Sequence, residues 1–101
     1  MRFPSSVKVA GTRLRIVRKD LSAEEAFGSW DHDAKTISLD KGLTGELLLT
    51  TLRHEMLEAS LSLSGIAWCE GPISVETEGV IRCLEEIFFP AWDPLFERLK
   101  T

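Results

Sequence analysis

The sequence predicts an α+β fold in a single domain spanning residues 1–101: a short antiparallel sheet, then two packed helices and a short C-terminal helical turn. Three observations lead there. Residues 7–17 alternate apolar and polar side chains with the two-residue period of strands, and residues 26–39 read as a second hairpin. Residues 44–64 and 75–89 instead repeat apolar side chains every three or four positions. All the strand-like segments precede the helical ones, which is the α+β order.

In the first strand pair, Val7 and Val9 flank Lys8, and Leu14 and Ile16 alternate with Arg13, Arg15 and Arg18. Gly11 between them marks a turn or a bulge. Ser22-Ala23-Glu24-Glu25 follows as a candidate short helix. A second hairpin covers residues 26–39, with Phe27 to Trp30 in one arm and Thr36 to Leu39 in the other. Asp31-His32-Asp33-Ala34 forms its turn, since Asp side chains bond the local backbone.

The first long helix is expected from Thr44, as N-cap, to about Ser64, with Gly65 ending it. Glu46 suits the positive end of the helix dipole. Leu48, Leu49, Leu52, Met56, Ala59 and Leu63 form the stripe that should pack on the sheet. After a loop over 66–73, Ser74 caps a second helix at about 75–89, with Val80, Cys83, Leu84 and Ile87 inward and Pro90 as its stop. Asp93 and Pro94 then open the last turn, 95–99.

The formal net charge of −4 disfavours nucleic acid as the main partner. The basic cluster Arg13, Arg15, Arg18 and Lys19 reads first as a solvated strand face. Cys69 and Cys83 form no Cys-x-x-Cys pair and no secretory leader is recognisable, so the expected compartment is the cytoplasm. No apolar run approaches the ~20 residues that span a bilayer. Phe88-Phe89-Pro90-Ala91-Trp92 either closes the core or offers a surface to a protein partner.

The chemistry concentrates in Thr51-Leu52-Arg53-His54-Glu55-Met56-Leu57-Glu58-Ala59. This nearly matches H-E-x-x-H, in which two ligands one helical turn apart hold zinc and the adjacent Glu serves as general base. Here Glu58 takes the place of the second histidine. His54 and Glu58 keep the four-residue spacing, and a carboxylate oxygen is an accepted zinc ligand. Candidates for a third ligand stand on the next helix, at Glu76 and Glu78. Glu76 shares its face with Val80, Cys83 and Ile87, whereas Glu78 aligns with Arg82 and Glu85, which resembles a solvated side; face arithmetic favours Glu76. The oxygen-rich set makes manganese more competitive with zinc. The plainer alternative has His54 capping the core edge, bonded to Glu58 or Glu76 with no metal. His32, between two aspartates, reads as a surface residue.

The order of these features over residues 7–89 resembles the small phage-type members of the ImmA/IrrE metallopeptidase family. The resemblance is carried by Thr36-Ile37-Ser38-Leu39-Asp40, by Thr51 to Ala59, and by Glu76 followed by the small residues Gly79 and Cys83. It implies a minimal zincin-like domain, with His54, Glu58 and Glu76 as zinc ligands and Glu55 as general base. It also implies a protein or peptide as substrate or partner. The departure at Glu58 leaves two expectations: a weak or inactive zinc-dependent peptidase, or a degenerate zincin-fold binding or structural protein that acts through a protein partner.

Overall fold

The computed structural model describes residues 3–64 and 75–100, with side chains described at all of these except 75–77 and 100. The α+β expectation holds: a four-stranded sheet is followed by helices. The Gly65 stop, the 66–73 loop, the Ser74 cap and Cys69 lie outside the described residues.

Strands β1 (Ser6–Val9) and β2 (Thr12–Lys19) form the first hairpin, and β3 (Gly28–Asp31) and β4 (Thr36–Asp40) the second. Ala10 and Gly11 turn the first with φ of 51° and 77°, the left-handed pair that matches strand twist. Between the hairpins, Ser22–Glu24 forms a single 3-10 turn where the short helix was expected.

The sheet is mixed, which corrects the expectation of an antiparallel one. Its order is β1-β2-β4-β3, and the central pair β2/β4 is parallel, with Ile16 opposite Ile37. The physical reason lies in β4, where Ile37, Ser38 and Leu39 are all buried. So apolar a strand takes a central position, and β3, hairpinned to it, becomes the edge. Arg18 and Asp40 fix the end of this central pair. The Arg18 guanidinium donates to the carbonyls of Asp40, Lys41 and Leu43, and the Asp40 carboxylate accepts from the backbone N–H of Leu21 and Gly42.

Helix α1 (Gly45–Ser64) covers one sheet face. Leu14, Ile16, Ile37, Leu39 and Ala59 form the buried cluster, flanked by Leu48, Leu52, Met56 and Leu63. Leu49, expected in that stripe, is exposed. The most buried positions of α1 are instead Thr51, Glu55, Ala59 and Ser62, spaced by three and four residues. Three of these four are polar, so α1 turns a polar ridge into its own interface.

Helix α2 (Val75–Cys83) runs through a π-helical turn, Leu84–Phe88, into α3 (Phe89–Lys100). Pro90 therefore does not stop the helix, and 95–99 is not a separate turn. The N–H of Phe89 bonds the carbonyl of Leu84, five residues back. The wider π-turn just before Pro90 gives room where a proline ring would collide with the preceding turn. The inward face of α2 also differs from expectation. Val80, Cys83 and Ile87 are exposed, while Ile81, at 1 % exposure, is the buried anchor. No helix among the described residues is long and apolar enough to cross a membrane.

Candidate functional site

The site forms where α1, α2 and the edge strand β3 meet. Glu55 lies on the polar ridge of α1, 5 % exposed, and abuts Gly28 of β3. His54 and Glu58 stand beside it toward α2, one turn apart. The donor atoms of His54, Glu55 and Glu58 all lie within 4.8 Å of one another, so the structure brings together three of the four residues expected in the site. For the fourth, Glu76, the backbone belongs to α2 but the side chain lies outside those described.

Glu85 is the residue that sequence reasoning missed. Its two carboxylate oxygens lie 3.1 and 3.0 Å from His54 Nδ1, within hydrogen-bond distance. The solvated side assigned to Glu78, Arg82 and Glu85 is thus, at Glu85, the side that faces α1. The missed signal was Ile81, because positions 78, 81 and 85 share one helical face and an isoleucine at its centre marks burial.

On its other nitrogen, His54 Nε2 lies 3.6 Å from Glu58 Oε1. That separation is too long for a hydrogen bond. It is close to the ~3.4 Å that separates a nitrogen and an oxygen ligand on one tetrahedral zinc. The donor set and its spacing therefore fit a divalent cation.

The electrostatics agree with that fit. The Glu55 carboxyl is pushed up to about 9, first by burial, then by its hydrogen bond with Glu58, with the charges of Glu58, Glu78 and Glu85 adding to the effect. Glu55 thus holds a proton at neutral pH when no cation is present. Its Oε1 is buried without a hydrogen-bond partner. An orphaned buried oxygen among several carboxylates is costly, and a cation would relieve both the orphan and the repulsion.

A cavity of about 450 Å³ opens over this cluster, lined by Phe27 and Gly28 on one side and by Thr51, His54, Glu55 and Glu85 on others. The edge strand therefore forms one wall. Elsewhere, His32 is not the surface residue expected: it is half-buried, and its Nδ1 lies 2.5 Å from Ser62 Oγ on α1. Cys83 is a free, exposed thiol.

Comparison of the chain with protein-family models, with characterised proteins and with solved structures finds no match.

Proposed function

We propose that the chain is a metal-dependent hydrolase of peptide bonds, a minimal zincin-like peptidase that uses zinc in an altered H-E-x-x-E site. The observation that carries this reading is the convergence of His54, Glu55 and Glu58 on one point beside an open cavity, with a buried Glu55 oxygen left unpartnered. His54 Nε2 and a Glu58 oxygen would hold the cation, with Glu76 of α2 as third ligand. Bound zinc would polarise a substrate carbonyl and acidify a water. Glu55 would take that water's proton and return it to the leaving amine. Gly28 and its neighbours on edge strand β3 give an extended peptide a wall to lie along.

A second reading, a degenerate zincin that binds a protein partner, is favoured by the exposed ring row on the C-terminal helix. Phe88 stacks on Trp92 at 6.3 Å between centroids, and Trp92 meets Phe96 at 5.8 Å. Rings of this kind are common at protein interfaces.

The deciding experiment is the metal content of the purified chain by elemental mass spectrometry, beside a His54→Ala control. About one zinc or manganese per chain, lost in the control, supports the hydrolase. Peptide cleavage should then disappear in Glu55→Gln while metal stays bound. No metal, even after incubation with excess zinc, overturns the hydrolase and leaves the binding protein.

A further inference from the structure

We propose that Glu85 is the positioning residue of the site: its carboxylate keeps the His54 proton on Nδ1 and so turns the Nε2 lone pair toward Glu58. The effect on metal affinity rests on the reading of His54 and Glu58 as ligands. The effect on the imidazole itself does not, and can be measured without metal.

Both Glu85 oxygens are within hydrogen-bond distance of Nδ1, at 3.1 and 3.0 Å. An ionised carboxylate only accepts hydrogen bonds, so Nδ1 must be the donor. In the neutral ring, Nε2 is then the nitrogen with a free lone pair, and it is Nε2 that faces Glu58. The opposite tautomer would point a proton at the place where a cation belongs. With a single nitrogen donor in the set, no other imidazole could compensate.

Glu85 acts through the ring and not as a ligand. The donors that converge are those of His54, Glu55 and Glu58, and Glu85 is not among them. It approaches from behind, on the far nitrogen. A carboxylate in that position fixes the ring's orientation and raises the basicity of the coordinating nitrogen.

The placement is built into the fold. Ile81, four residues earlier on the same face, is buried at 1 % exposure and anchors α2. Glu85 itself belongs to the π-helical turn Leu84–Phe88, a local widening that recurs at functional sites. Its side chain is 25 % exposed and that of His54 34 %, so solvent only partly competes for the contact.

The test is nitrogen NMR of the two imidazoles in the metal-free chain, above the pH at which the rings are charged, with His54→Ala to assign the signals. The native chain should show a protonated Nδ1 and a bare Nε2 at His54. Glu85→Ala should shift His54 toward the Nε2–H form. Glu85→Lys, which can only donate, should invert the tautomer, and it keeps the test decisive if the alanine variant folds poorly. Zinc titrated into native and Glu85→Ala protein should bind about 10–100-fold more weakly to the variant. A native His54 carrying its proton on Nε2, or a tautomer indifferent to both substitutions, overturns the proposal. A tautomer that follows Glu85 in a chain with no affinity for zinc sustains the positioning role and overturns the metal reading instead.

Discussion

Gly28 on the edge strand and Glu55 on α1 approach so closely that a Cβ at position 28 would lie 3.0 Å from Glu55 Cγ and 3.1 Å from its Oε2. The same atom would meet Thr51 Cγ2 at 3.0 Å. Glycine here sets how near the buried carboxyl can sit to the strand, and so the width of the cavity between them. Gly28→Ala should cost about 1–3 kcal/mol through overpacking, read from urea unfolding. Unchanged stability would mean that α1 can slide from β3 freely, and that the wall of the cavity is soft.

Because the Glu55 carboxyl is raised in the folded chain to about 9, from 4.5, the native state binds a proton that the unfolded state releases. Its contribution to stability is fully present below about 4.5 and declines as pH rises toward 9. Metal-free protein should therefore lose stability across that window, by at most about 1.4 kcal/mol per pH unit. Glu55→Gln should flatten the slope, as judged by unfolding midpoints between pH 5 and 9. If zinc binds at neutral pH, calorimetry in buffers of different ionisation enthalpy should detect release of about one proton per ion.

Ile81 is the buried residue of α2, and α2 packs on α1, so its truncation tests whether the site depends on that docking. Ile81→Ala should cost about 2–5 kcal/mol. It should also loosen the Glu85 contact and weaken zinc binding more than a surface change such as Ile87→Ala, a residue that is 68 % exposed. Equal zinc affinity in the two variants would show that α2 contributes nothing to the metal.

Glu58→His sets two imidazoles one turn apart. It replaces a carboxylate beside Glu55 with a neutral donor, so zinc should bind more tightly and lose ground less to manganese in competition. The rise of the Glu55 carboxyl should shrink, because both the hydrogen bond and the charge of Glu58 contribute to it. Weaker zinc binding in this variant would mean that position 58 does not face the ion.

Much of this was legible from local pattern. The two hairpins were, because alternation with a two-residue period and the turn residues near Gly11 and Asp31 act over a few positions. Helix α1 was, to within a residue at its start, and so was the adjacency of His54, Glu55 and Glu58, which one helical turn guarantees. The sheet's mixed character was not. Whether β4 lies beside β2 or outside β3 is a choice between long-range pairings, decided by which one buries Ile37 and Leu39 in the core.

Sequence by itself determined the α+β order and the His54–Glu58 spacing along α1, since both follow from periodicity within one element. Tertiary structure alone decided which face of α2 turns inward. An amphipathic stretch with apolar residues at Val80, Ile81, Leu84 and Ile87 offers more than one inward face, and docking selected the one centred on Ile81. That rotation brought Glu85 to His54, and the charges of Glu78 and Glu85 add to a rise of the Glu55 carboxyl that burial causes first and Glu58 second. Burial and charge proximity are properties of neighbours in space, so no spacing along the chain encodes them.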